Sequence, residues 1–273
     1  MPDTRPSTIL GVKIDNVSKK EVLEKIKSFL LSGKNHYIVT LNPEMVIQTT
    51  GDALFCKIIN EAGLSVADGT GIVLADLFLN REILPERIKG IDLIYDICKS
   101  DFIKGRKIFL LGAGKGIAEK AAVVLREEYP CLDIVGAEEG MYFQILNPKT
   151  KTQNEIQYSI PNKSVFGKLN ILLIERINKA KPDILFVAFG APKQEKWIYE
   201  NIKKIPSVKL AIGVGGSFDF ISGNVKRAPR LLRKLGLEWL WRLYVEPGRI
   251  SRIYNATFKF CRLVLISKIK KRS

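Results

Sequence analysis

The chain has 273 residues, 46% hydrophobic and 26% charged, with 44 Lys and Arg against 28 Asp and Glu for a net charge of +16. That profile excludes a disordered or collagen-like chain, and the length suits one large domain, or one domain with an appendage, that buries a core without staples. No run approaches the roughly 18 consecutive apolar residues of a spanning helix, so the chain is not expected to cross a bilayer.

In chain order, Ser18-Lys-Lys-Glu21 is a capping box that opens an amphipathic helix through Leu31. Residues 36–41 predict a strand, 44–62 a helical stretch and 64–67 a second strand, followed by helical patterns at 72–79 and 91–99. A strand at 107–111, a helix at 115–128 and a strand at 132–135 come next. The stretch 146–169, rich in Asn, Lys, Gln and Ser with two prolines, interrupts the rhythm and reads as a long surface loop. A helix at 171–181, a strand at 184–189, a helix at 193–204 and a strand at 209–214 complete the run. The alternation, with strands too apolar to be half-solvated, predicts an α/β fold: a doubly wound, mainly parallel Rossmann-like sheet covered on both faces.

In such a sheet ligands bind outside the carboxyl ends of the strands. Those ends carry Thr40 and Asn42, Asp68-Gly69-Thr70-Gly71, Gly112-Ala-Gly114, Gly190-Ala-Pro-Lys193-Gln194 and Gly213-Val-Gly215-Gly216. Every one is glycine-rich or polar, as a crevice for a phosphorylated ligand requires, because glycine lets backbone N–H groups approach phosphate oxygens. Gly112-x-Gly114 admits two readings. It opens a dinucleotide fingerprint, but Ile117 stands at the third position and Asp133, about 20 residues on, starts a strand instead of ending one; a tight turn facing a nucleotide or sugar is the other reading. Asp68 is equally open between a helix N-cap and a carboxylate held in the crevice to take a proton.

Other chemistries lose support. His36 is the only histidine and has no partner at ligand spacing, which disfavours Ser–His–Asp catalysis and zinc. Asp-x-Asp, a common way to hold a metal on a sugar nucleotide's pyrophosphate, is absent, and so is a P-loop, which excludes a P-loop NTPase; no cofactor is expected. Cys56, Cys98, Cys131 and Cys261 lie far apart with no signal peptide ahead of them, pointing to a reducing cytoplasm.

The charge is uneven. Residues 226–273 hold 14 basic and two acidic side chains, so +12 of the +16 falls in the last 48 residues and the first 225 are nearly balanced. The expected division is a catalytic domain over 1–225 and a basic helical appendage over 226–273. Ile250, Ile253, Tyr254, Thr257, Phe260, Cys261, Val264 and Leu265 form one helical stripe, and Leu231, Leu232, Leu235, Trp239 and Leu243 another, each with Arg and Lys alongside. Basic flanks around such stripes describe helices lying in an anionic membrane interface. Packing on the body competes with that reading, most evenly for 231–243. A nucleic-acid site is disfavoured because the aromatics lie on these apolar stripes.

Thr40-Leu-Asn42-Pro-Glu, Ala67-Asp68-Gly-Thr-Gly71, Pro85-Glu-Arg87 with Gly90-Ile-Asp92, and Gly190-Ala-Pro-Lys-Gln194-Glu-Lys-Trp197 together resemble the WecG/TagA/CpsF glycosyltransferases. Gly213-Val-Gly-Gly-Ser-Phe-Asp219-Phe, Arg227-Ala-Pro229, Leu237-Glu-Trp239-Leu-Trp-Arg242-Leu and Glu246-Pro-Gly-Arg249 with Arg252 continue the likeness, which runs from about residue 8 to 255. The resemblance implies a metal-independent, inverting transfer of an N-acetylmannosamine-type sugar from a UDP donor to polyprenyl-diphosphate-linked GlcNAc. It places the enzyme in cell-surface polysaccharide or teichoic acid biosynthesis, peripherally bound to the cytoplasmic membrane face. It implies Asp68 as general base and Thr40, Asn42 and Gln194 as donor or acceptor contacts, Thr40 and Gln194 counting with Asp68 as catalytic. It also implies that Arg87, Arg242, Arg249 and Arg252 meet phosphate charge. Gly69, Thr70, Gly112, Gly114, Lys193, Gly215 and Asp219 complete the expected substrate-binding set. A uronic acid or glucose-type donor, and a homo-oligomer, remain open. The 146–169 loop and the tail past Arg252 depart from the family pattern.

Overall fold

The structure is a computed structural model that describes residues 6–80, 84–140, 163–234, 236–245, 248 and 250–270, apart from the side chains of 163–166, 234, 242, 251, 252 and 255. The chain divides into two compact units, one of Met1–Ile26, Tyr37–Ile94 and Lys226–Ser273, the other of Lys27–His36 and Tyr95–Val225.

The first unit opens with β1 (Ser7–Ile9) and β2 (Val12–Ile14), an antiparallel hairpin that pattern reading missed because each strand has only three residues. Its two-residue turn needs φ > 0 at both positions, and Leu10 and Gly11 have φ 50° and 83°. Helix α1 (Lys19–Leu31) starts at the predicted capping box. Glu21 accepts from the Ser18 N–H at 2.7 Å, and Ser18 Oγ accepts from the Glu21 N–H at 3.4 Å. Strand β3 (His36–Leu41) leads to α2 (Pro43–Thr49) and α3 (Ala53–Asn60), so the helix expected over 44–62 is two helices. Asp52 makes the break, its side chain accepting the Phe55 N–H at 2.9 Å as the N-cap of α3. Strand β4 (Leu64–Ala67) runs parallel to β3 from Ile38↔Leu64 to Leu41↔Ala67, and α4 (Thr70–Asn80) and α5 (Gly90–Lys99) follow. The inner residues of this strand pair, Ile38, Val39, Leu41, Leu64 and Val66, are fully buried.

The second unit is a four-stranded parallel sheet. Strand β5 (Lys107–Gly112) pairs with β6 (Asp133–Glu138) on one side and with β7 (Ile184–Ala188) on the other, and β7 pairs with β8 (Leu210–Gly213). The chain thus goes outward from β5 to β6, then returns to the other side of β5. That reversal is a topological switch, and it bears out the doubly wound α/β expectation. Helices α6 (Ile117–Glu128), α7 (Lys163–Ala180), α8 (Lys193–Asn201) and α9 (Ser217–Ile221) make the crossovers and flanks. Helix α7 begins eight residues ahead of the 171 start that the polar, proline-containing stretch suggested; the rest of the expected loop, 146–162, lies outside the described residues. A register shift between Ile108 and Phe109 is seated on Gly136, where any Cβ would lie 2.2 Å from the Phe109 ring.

The tail belongs to the first unit. It forms α10 (Arg230–Lys234), α11 (Glu238–Val245), α12 (Ile250–Tyr254), a π-helical turn at Asn255–Lys259 and α13 (Phe260–Lys270). The stripe expected to face a membrane divides here. Phe260 and Val264 are buried where the tail packs on α2 and α4, while Ile250, Tyr254 and Leu265 of the stripe stay exposed, as does Phe258 outside it. A π turn adds a residue to one turn of helix and rotates the next segment about the axis, so 100° spacing carried across 255–259 does not describe a single face. Among the described residues no helix is long and apolar enough to cross a membrane.

Candidate active site

Asp68 is the residue immediately after β4. Its N–H donates to the Leu41 carbonyl at 2.7 Å, continuing the β3–β4 ladder, and its Oδ2 accepts the Gly90 N–H at 3.3 Å at the amino end of α5. The half-buried carboxylate therefore lies at a helix N-terminus, where unpaired N–H groups carry partial positive charge. The adjoining loop is held to the same strand end, since the Ile88 N–H donates to the Ala67 carbonyl at 2.8 Å. Thr40 is buried on β3, opposite Val66. Asn42 is the N-cap of α2 and accepts the Met45 N–H at 3.1 Å, so its oxygen is already engaged in helix capping.

Two glycines let this corner close. A Cβ at Gly71 would stand 2.8 Å from Pro43 Cγ, and Gly69 has φ 143°, a conformation that L side chains rarely adopt. Thr70 Oγ1 donates to the Gly236 carbonyl at 3.4 Å, bringing the tail to the start of α4.

Arg87 reaches the tail as well, donating to the Arg233 carbonyl at 3.1 Å and pairing with Glu238 at 3.4 Å. Lys89 pairs with the same Glu238 oxygen at 2.6 Å, and Arg227 with Asp92 at 2.5 Å. The Arg87, Lys89, Arg227 and Glu238 side chains are partly withdrawn from water, so salt screens their pairs less than fully exposed ones. Pattern reading saw Arg87 as a phosphate ligand and gave Lys89 and Glu238 no role, because nothing in spacing brings residues 87 and 238 together. Arg249 lies outside the described residues, as do the side chains of Arg242 and Arg252.

The second unit gathers the glycine-rich turns at the carboxyl ends of its strands. Gly112 has φ 116°, and a Cβ there would fall 2.8 Å from the Ala188 carbonyl carbon, so close packing of β5 against β7 already requires glycine. Gly114 would admit a Cβ at ordinary contact distance from Ile117. Lys193 is the first residue of α8 and half-buried. Asp219 braces the turn after α9, its Oδ1 accepting from Asn224 Nδ2 at 3.2 Å and its carbonyl from the Val225 N–H at 2.9 Å.

Gln194 and Glu195 form a buried polar pair. Gln194 Oε1 accepts both the Gly190 N–H at 3.1 Å and the Gly215 N–H at 3.0 Å, tying the turn after β7 to the turn after β8. Its Nε2 donates to Glu195 Oε1 at 2.6 Å. Both side chains are buried, so Gln194 is occupied with backbone. Burial pushes the Glu195 carboxyl up to about 7, against the downward pull of its hydrogen bond from Gln194. A carboxyl raised above its unfolded value contributes stability at low pH that is lost as pH climbs through the folded value. Glu195→Gln does not titrate, so its melting temperature should gain on the wild type between pH 5 and pH 8; a constant difference in a thermal-shift series would show that Glu195 stays charged. Sequence reading passed over Glu195, since a glutamate in a first helical turn ordinarily faces water.

Comparison with known proteins adds to this geometry. A profile of the glycosyl transferase WecG/TagA/CpsF family matches residues 7–273. The chain is 36% identical over 272 residues to a Staphylococcus aureus (strain MRSA252) protein named N-acetylglucosaminyldiphosphoundecaprenol N-acetyl-beta-D-mannosaminyltransferase, covering 98% of this chain and 96% of that one. Proteins of the same name from strains NCTC 8325 / PS 47 and MW2 are 35% identical over the same shares.

Proposed function

Because the chain belongs to the glycosyl transferase WecG/TagA/CpsF family, and is a glycosyltransferase, we propose that it moves an N-acetylmannosaminyl group from a UDP donor to GlcNAc on a polyprenyl diphosphate. The acceptor named in its relatives supports the second half of that reading. The observation that carries the chemistry is Asp68, a carboxylate fixed at a strand end by backbone on two sides.

In this mechanism an acceptor hydroxyl attacks the anomeric carbon from the face opposite the diphosphate. Its proton passes to the Asp68 carboxylate, the new C–O bond forms, and the bond to the β-phosphate oxygen breaks with its electron pair leaving on UDP. The configuration inverts because one displacement occurs. Charge arriving on UDP is met without a metal: the first unit offers the Gly69 turn with Arg87, Arg242, Arg249 and Arg252, and the second offers the Gly112 and Gly114 turn with Lys193, while the Gly215 N–H is taken up by Gln194. Thr40 and Thr70 orient the substrates, and Gln194 acts by holding the two turns it bridges, with Asn42 and Asp219 bracing their own corners. In this reading residues 1–225 carry Asp68 and the glycine turns, while 226–273 supply Arg242, Arg249 and Arg252 to the diphosphates and dock on the anionic inner face of the membrane. The docking proposal is supported by exposed Leu231, Trp239, Tyr244, Tyr254 and Phe258 in a basic segment.

A panel of UDP-sugars tested against polyprenyl-diphosphate GlcNAc in anionic vesicles, in excess EDTA, measures all of this. UDP-N-acetylmannosamine should be the best donor, with full activity in EDTA and a fall in rate when the anionic lipid is replaced by zwitterionic lipid. Preference for the uronic acid or for UDP-glucose would keep the family chemistry and reassign the donor.

A further inference from the structure

Two turns of the second unit depend on one amide, and that amide depends on a buried acid. Gln194 Oε1 accepts two backbone N–H groups while its own N–H donates back to the Gly190 carbonyl at 3.1 Å. This works in one orientation only: a flipped carboxamide would turn Nε2 toward two donors and its oxygen toward a carboxyl. Glu195 Oε1 receives Nε2 and so selects the working orientation. The space is built for the pair. Any Cβ at Gly213 would stand 2.7 Å from Gln194 Nε2 and 2.9 Å from Glu195 Oε1. Glu195 is 1% exposed, and its other oxygen, Oε2, is buried with no hydrogen-bond partner. A buried acid with an unsatisfied oxygen is costly to keep, and what it supplies in return is the acceptor for the buried Gln194 Nε2. The geometry points to Glu195 as a positioning residue that fixes the Gln194 carboxamide and, through it, the backbone N–H groups of Gly190 and Gly215.

Glu195 itself touches no substrate; it acts through Gln194. Its effect on the reaction rests on the transferase reading above, in which these turns, with their Gly190 and Gly215 N–H groups held by Gln194, shape the place of the donor diphosphate. The positioning itself does not rest on that reading, and the two are measured separately.

The test uses the full chain. In Glu195→Met, amide hydrogen exchange read by NMR at Gly190 and Gly215 should speed up about tenfold or more, while interior amides of β5 and β7 stay within about twofold. Donor KM should rise roughly fivefold with kcat little changed, the pattern of lost ground-state positioning. Glu195→Gln, which keeps an oxygen toward Gln194, should restore both. Should the methionine variant fail to fold, Glu195→Asp, whose carboxyl is withdrawn by one methylene, is read the same way. Unchanged exchange at the two glycines, or acceleration spread evenly through β5 and β7, overturns the proposal. Selective acceleration with an unchanged KM keeps Glu195 as the positioning residue and removes these turns from donor binding.

Discussion

Asp68→Asn should lower turnover at least about a hundredfold while leaving UDP-sugar affinity within about twofold. Asparagine matches aspartate in size and can still accept the Gly90 N–H through its oxygen, so the strand end and the α5 terminus keep their places. What is lost is the group that takes the hydroxyl proton. A hundredfold corresponds to roughly 2.7 kcal/mol of transition-state stabilisation, within the range of one general base. Steady-state kinetics with calorimetric titration of UDP separates the two effects. Near-normal turnover would take the base role from Asp68, and an equal fall in affinity would make it a binding residue.

Phe260→Ala should destabilise the protein by about 3–5 kcal/mol, the cost of a large buried side chain and the cavity it leaves. Phe260 is 2% exposed and lies near Gly71, whose Cβ, if it had one, would be 3.9 Å from the ring. It sits where the tail covers α2 and α4, beside the corner that holds Asp68. Phe258, two residues earlier and 71% exposed, provides the control. Phe258→Ala should keep stability within about 0.5 kcal/mol and reduce transfer to a vesicle-borne acceptor. Denaturant midpoints measured for both variants test the seating of the tail: equal, small shifts would mean that it does not pack on the first unit.

The division of the stripe shows where pattern reading reaches its limit. Hydrophobic spacing identified the tail as amphipathic, and a stripe bound for a membrane has the same spacing as one bound for α2 and α4. Burial alone separates Phe260 and Val264 from Tyr254 and Leu265. The parallel strands were legible, unlike the three-residue β1 and β2, because apolar β-rich runs with glycine or a polar residue at their ends are local signals. Strands β3 and β4 fall on the residues expected, and the capping box at Ser18 formed as written. The helix over 44–62 was read as continuous because apolar periodicity runs through Gly51, whereas the Asp52 side chain captures the Phe55 N–H and restarts the helix.

The candidate site divides in the same way. Asp68 and the glycine turns could be found from sequence because strand ends are where an α/β fold binds ligands, and glycine marks the close approaches. The partners of these residues could not. Glu238 closing on Arg87 and Lys89 spans about 150 positions, and the Gly213 space that admits Gln194 and Glu195 depends on a strand and a helix meeting. By itself the sequence determined the alternation of strands and helices, the basic tail and the residues at the strand ends, because those follow from side-chain chemistry and local periodicity. Only the tertiary structure decided which glutamate is buried, which arginine is already paired and which half of the tail is core, because each depends on contacts between segments far apart in the chain.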